Sequence, residues 1–207
     1  MAIDSHHEIY LSFSGEIGPG TSQALISTLS DCCNQGVKHA YLMFSTPGGS
    51  VMHGINLYNV MRALPIELTI HNVGNVDSIG NVVFLAGDNR YACAHSTFMF
   101  HGVGFDMDGK QRLEEKLLRE HLETVHAEHK RIGAVIQERS KLDNSAVQEL
   151  FLEQQTKDAI FAAKYGIVDE IRDVKIRPGA PIITLDSTGP QDAIAANNMS
   201  ALHRVLG

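Results

Sequence analysis

GNVDSIGNVVFLAG, residues 74 to 87, follows a β-branched apolar run, IELTIHNV (66 to 73), and carries one serine, Ser78, into a stretch of small and apolar residues. The run reads as a strand, GNVDS as a turn and residues 79 to 87 as a helix. A strand-to-helix turn of this kind exposes a serine hydroxyl, although Val76 stands where a G-x-S-x-G elbow has its first glycine. Asp77 and Ser78 are equally suited to capping the helix, so position alone does not make Ser78 a nucleophile.

The same unit precedes this stretch twice. EIYLSF (8 to 13) breaks at Gly15 to Gly20 before an apolar-periodic helix from Ser22 to Cys33, and HAYLMF (39 to 44) leads through STPGGS into a helix from about Val51 to Ala63. YACA (91 to 94) and STFMFH (96 to 101) read as two further short strands. Strands alternating with helices predict an α/β fold with a mainly parallel sheet and right-handed crossovers.

After Gly109, residues 111 to 139 carry Leu113, Leu117, Leu118, Leu122, Val125, Ile132, Val135 and Ile136 at mostly three- and four-residue spacings among many charges. This predicts an amphipathic helix of roughly 43 Å, against a radius of gyration of about 17 Å for a compact chain of this length. The helix is expected to project and to bury its stripe on another copy, giving a homo-oligomer. A helical stretch from Asn144 to about Lys164, with a break near Gln154 to Thr156, precedes a turn and strand at YGIVDEI (165 to 171). Residues 172 to 207 form an extension with an apolar IITL, and the tail after Asp186 is expected to be poorly ordered.

Composition excludes several classes. Seventeen Lys and Arg against 24 Asp and Glu, spread along 207 residues, argue against nucleic acid as a partner. The apolar runs are too short to span a bilayer and MAIDSHHE is unlike a signal peptide, so no membrane role and a cytoplasmic location are expected. Cys32, Cys33 and Cys93 read as buried thiols. No phosphate loop ending in Lys-Ser or Lys-Thr occurs, and no cofactor is implied. His121, His126 and His129, spaced by five and three on a charged helix, read as solvated or inter-subunit residues rather than metal ligands.

Three loops carry the chemistry: Ser45 to Ser50, Gly74 to Ser78, and the exit at His101. In open α/β sheets, sites form at the carboxyl ends of strands. Neighbouring strands would gather a Gly-Gly backbone as oxyanion donor, a serine, and an imidazole in reach to take its proton.

At this point the residues resemble the Clp protease proteolytic subunit family, within the wider group of folds shared with enoyl-CoA hydratases. IYLSFSGEI, STPGGSVMHGINLYNVMR, FMFHGVGF, the long helix with ERS near its end and AAKYGIVDEI all resemble family segments. GNVDSIGNVVFLAG is similar to the family's G-x-x-x-S-x-G-x-x-x-x-x-A-G. The resemblance spans roughly residues 8 to 171. It implies a Clp/crotonase-like fold of repeated β-β-α and β-α units in residues 1 to 171, with residues 111 to 139 as a handle helix pairing rings of subunits. It further implies a serine-type endopeptidase acting on peptides or unfolded proteins inside an oligomeric ring or double ring. Ser78 would be the nucleophile, His101 the base, and the N–H groups of Gly49 and Ile79 the oxyanion hole.

Three departures qualify this, one being that the extension from about Arg172 has no recognised counterpart in the family. The family's third triad member is an aspartate fifteen residues before the Tyr of its Y-G-L motif, and that count from Tyr165 reaches Leu150, leaving Glu149 or Glu153 as substitutes. The family's amino-terminal segment, which contacts an ATPase ring, has no evident counterpart before residue 8, so an ATPase unfoldase partner stays open. Two alternatives therefore stand beside the peptidase: a non-catalytic structural or regulatory subunit, and an acyl-CoA hydratase-like enzyme.

Overall fold

A computed structural model describes residues 8–104, 109, 112 and 114–186. The described residues form eight strands and six helices, alternating through the first half of the chain. They are β1 (Glu8–Ser14), α1 (Pro19–Asn34), β2 (His39–Thr46), α2 (Val51–Ala63), β3 (Glu67–Asp77), α3 (Gly80–Phe84), β4 (Asn89–Ala92), β5 (Thr97–Met99), α4 (Glu115–Arg139), α5 (Asn144–Glu153), β6 (Thr156–Asp158), α6 (Ala159–Lys164), β7 (Glu170–Ile171) and β8 (Ile182–Asp186). One sheet runs β6-β5-β3-β2-β1-β8, with β4 lying between β3 and β7. Every pairing is parallel except β5 with β6.

The parallel strands are covered on both faces, which is why their sequences are nearly continuous apolar runs. Leu11, Leu42 and Ile70 are fully buried, and Phe13 packs on Phe44 with ring centroids 5.4 Å apart. Phe84 and Phe98 meet edge to face at 5.1 Å, fixing α3 against β5. The predicted α/β fold with a mainly parallel sheet is the observed one.

The turn expected at GNVDS is instead the end of β3. Its first half pairs with β4 (Thr69 to Asn72) and its second half with β5 (Asn75 to Asp77), so two short strands follow each other along one side of a long one. Asn72 joins the halves, its amide donating to the Thr97 carbonyl and its oxygen accepting from Gly74 N. The helix after Ser78 ends at Phe84 rather than Gly87. Arg139 donates to the carbonyls of Leu85 and Gly87, and Arg62 to that of Ala86. These side chains replace the hydrogen bonds that another helical turn would have supplied.

The expected helical stretch from Asn144 breaks at Gln154, whose φ of 52° is left-handed. Between α5 and α6 the chain inserts β6, antiparallel to β5. Asp143 and Asp158 cap the two helices by accepting from Ala146 N and Phe161 N. In α4 only Ile132, Gly133 and Ile136 are buried, while Leu118 and Leu122 are 50% and 54% exposed. Of the extension, residues 182 to 186 add a parallel strand beside β1, with Ile183 and Leu185 buried. The tail expected to be poorly ordered lies outside the described residues.

Candidate active site

Neighbouring strands β2, β3 and β5 bring the three sequence-selected loops to one edge of the sheet. Ser78 leaves β3 with φ 56°, a left-handed conformation that costs a non-glycine residue roughly 1–2 kcal/mol. Its N–H donates to the Met99 carbonyl at 2.8 Å, and its own carbonyl accepts from Asn81 N and Asn81 Nδ2. The Asn81 amide also donates to the Met99 carbonyl at 2.8 Å. One buried side chain thus ties the turn to the end of β5.

Neither Asp77 nor Ser78 caps the helix. Ile79 occupies the N-cap without a side-chain bond, and Asp77 accepts from Asn75 Nδ2. The Ser78 hydroxyl is left without a protein partner among the described residues.

The Gly-Gly loop lies against this turn. A β-carbon on Gly48 would stand 2.6 Å from Ser78 Cβ, and one on Gly49 2.4 Å from the Ile17 carbonyl. Both glycines have positive φ, 94° and 142°. Ile17 N donates to the Gly48 carbonyl and Ser50 N to the Ile17 carbonyl, pinning the loop on either side of Gly49. The N–H groups of Gly49 and Ile79 find no protein acceptor among the described residues.

His101 follows β5 and is half-buried. Its Nδ1 lies 2.7 Å from the Gly102 carbonyl oxygen. A carbonyl only accepts, so Nδ1 carries a proton, and in the neutral ring the lone pair is then on Nε2. Ser78, His101, Gly49 and Ile79 all line one cavity of about 150 Å³, walled by apolar residues including Val51, Phe100, Ile132 and Phe151. The hydroxyl and the imidazole share this cavity without being hydrogen-bonded to each other.

The two glutamates lie elsewhere. Glu149 and Glu153 line a separate cavity of about 210 Å³ with Leu150, Lys157 and Tyr165, and Glu153 accepts from Gln155. From α5, only Phe151 reaches the cavity of Ser78. Among the described residues, no three His, Cys, Asp or Glu side chains are grouped to hold a metal, and no helix is long and apolar enough to cross a membrane. Cys32 is buried, which pushes its thiol up to about 12, while Cys33 and Cys93 are half-buried with raised pKa values for the same reason.

Sequence reasoning missed two residues that shape the site. Asn81 was legible only as a lone polar residue in a small, apolar helix. His129 is not a solvated residue: its ring is half-buried against Phe151, and its Nε2 accepts from Val103 N at 2.8 Å.

Comparison with known proteins identifies the family. The Clp protease family matches residues 5–175. The ATP-dependent Clp protease proteolytic subunit of Chlorella vulgaris is 30% identical over 136 residues, which cover 65% of this chain and 66% of that protein. ATP-dependent Clp protease proteolytic subunit 2 of Thermobifida fusca (strain YX) is 27% identical over 140 residues, 63% of each chain. This chain thus matches a little under two thirds of the length of these relatives. A family match running from the first strand past β7, on a parallel sheet that gathers a left-handed serine, a histidine and a Gly-Gly loop at one edge, places this chain in the Clp protease family.

Proposed function

We propose that this chain is a serine-type peptidase subunit that cleaves peptide bonds through an acyl-enzyme. One observation carries the reading: Ser78 is held in a strained left-handed turn with an uncommitted hydroxyl, on the same cavity as His101 and the unpaired N–H groups of Gly49 and Ile79. Strain of this kind persists where the surroundings over-determine it, and it collects at reacting residues.

In the reaction, Ser78 Oγ forms a bond to the carbonyl carbon of the substrate while its proton passes to His101 Nε2. The carbonyl oxygen gains the negative charge and takes hydrogen bonds from Gly49 N and Ile79 N. One such donor is typically worth about 3 kcal/mol in the transition state. The C–N bond then breaks and the leaving amine takes the proton from His101. Water gives a proton to the same ring and attacks the ester carbon; the C–Oγ bond then breaks, Ser78 Oγ takes the proton back from His101, and the carboxylic acid leaves. The apolar wall of the cavity suits an apolar side chain beside the cleaved bond.

Assembly belongs to the same proposal. The N-terminal half of α4 leaves Leu118 and Leu122, one turn apart, exposed, and a second copy's α4 is the partner that would cover them. Peptide or unfolded protein would then be cut inside a closed chamber.

A second reading, a non-catalytic subunit, draws on a specific observation. Both glutamates near Leu150 face another cavity, and His101 has no carboxylate partner among the described residues. Intact-mass analysis after fluorophosphonate treatment separates the two. A single adduct on Ser78, absent from Ser78→Ala and His101→Ala, supports the peptidase; a folded, assembled protein that takes no adduct supports the second reading.

A further inference from the structure

His101 has to keep its proton on Nδ1 if Nε2 is to take one from Ser78, and something must hold the ring in that state. Its Nδ1 partner is a backbone carbonyl, that of Gly102, at 2.7 Å. That carbonyl belongs to the peptide unit joining Gly102 to Val103, and the N–H of the same unit donates to His129 Nε2 at 2.8 Å. A peptide plane is rigid, so fixing its N–H fixes the direction of its C=O. Two histidines on different elements are therefore joined through one amide, from His101 Nδ1–H to the Gly102 oxygen and from Val103 N–H to His129 Nε2.

The contact is built. His129 Nε2 accepts, so its own proton sits on Nδ1 and the ring is neutral. Its face packs on Phe151 at 5.2 Å between centroids, and Gly102 N donates to the Phe151 carbonyl at 3.1 Å. A β-carbon on Gly102 would lie 2.8 Å from His129 Nε2, so the loop reaches the ring only because residue 102 lacks one.

We propose that His129 is a positioning residue for the Ser78–His101 site, orienting the Gly102–Val103 peptide so that its carbonyl holds the Nδ1 proton of His101. The proposal rests on the acyl-transfer reading above. It gives α4 a role inside the site in addition to any role in assembly.

The chemical surroundings of the ring favour the accepting state. His126 lies one turn back on α4, His101 on the loop and the apolar Phe151 on α5, while Glu149 and Glu153 of α5 line the other cavity and Glu128 pairs with Arg131. Burial first, and His126 second, hold His129 below the ordinary histidine pKa. Protonation would turn Nε2 into a donor facing the Val103 N–H, and the peptide would lose its anchor.

Two measurements on the full chain test this, using His129→Phe, which keeps a ring without an acceptor, and His129→Gln, which keeps an acceptor without titrating. The first is the rate of fluorophosphonate labelling of Ser78 across pH. His129→Phe is expected to slow it by about tenfold or more, the scale of loss known for outer partners that orient metal-bound histidines. His129→Gln is expected to recover most of that rate and to lose a second acid protonation step present in the wild type. The second is long-range ¹H–¹⁵N spectroscopy of the histidine rings, which reads the His101 tautomer without any reaction. An Nδ1–H tautomer that becomes a mixture in His129→Phe supports the proposal, whereas an unchanged tautomer and labelling rate overturn it. Wild-type protein that takes no label would overturn the acyl-transfer reading, and the spectra would still decide what His129 does.

Discussion

A β-carbon added to Gly48 would stand 2.6 Å from the β-carbon of Ser78 and 3.3 Å from its hydroxyl oxygen. The end of β2 and the end of β3 are thus in contact through the absence of a side chain. Gly48→Ala is expected to push the turn aside, and its φ of 94° adds strain of about 1–2 kcal/mol. Labelling of Ser78 should fall at least about tenfold while the core stays folded, as checked by labelling kinetics beside urea denaturation. Wild-type labelling in Gly48→Ala would show that the turn does not depend on this contact.

The left-handed Ser78 predicts a conflict between activity and stability. Ser78→Gly removes the conformational penalty and is expected to raise the unfolding free energy by about 1 kcal/mol over Ser78→Ala, with both variants inactive toward the probe. Urea midpoints of the two variants check this, and equal midpoints would mean that the turn stores no strain.

Asn81 holds two carbonyls, those of Ser78 and Met99, from a fully buried position. Asn81→Leu is expected to cost about 2 kcal/mol, since both oxygens lose a buried donor. It should also slow labelling, because the turn loses its tie to β5. Stability loss with an unchanged labelling rate would confine Asn81 to the fold.

The buried His71 makes stability depend on pH. Its Nδ1 accepts from the Tyr41 hydroxyl at 2.6 Å and its Nε2 lies 3.0 Å from the Arg172 carbonyl. Burial is the main cause of a pKa below the usual 6.5. The unfolded chain therefore binds a proton at a higher pH than the folded one does. This contribution is complete above the unfolded value and is lost as pH falls through the interval down to the folded value. The urea midpoint should drop on acidification below about pH 6.5, by less in His71→Gln. Identical acid dependence in the two proteins would remove His71 as a source.

Leu118→Glu combined with Leu122→Glu places charges on the exposed stripe of α4. Sedimentation velocity should show smaller species than for the wild type, with the helical signal retained. Unchanged association would mean that copies meet through another surface.

The fold was largely legible because its signals are local. β1, β2 and the start of β3 are continuous apolar runs, which a doubly covered parallel sheet requires, and Gly15, Pro47 and Gly48 mark their exits. What could not be read depends on pairing across the chain. The second half of β3 is a strand because β5 lies beside Asn75 to Asp77 and Thr46 of β2 pairs with Val76, and β6 is one because β5 offers its other edge. IITL could be read as apolar, but its place beside β1 is a long-range choice. In the site, Ser78, His101 and Gly49 stand out because each ends or follows a strand. His129 sits mid-helix among charges, and its role becomes visible only when the 101–104 loop is laid against it.

The strand beside β1 also changes what the sheet presents to the outside. Without Ile182 to Asp186, the seven residues of β1, apolar through most of their length, would offer a row of bare N–H and C=O groups. An open edge of that kind is a template for pairing with a stray strand from another chain. With β8 in place, the outermost strand on that side among the described residues is a shorter one. Residues beyond the family match would thus keep β1 from such pairing, and a chain shortened to the matched region is expected to lose solubility before it loses its fold.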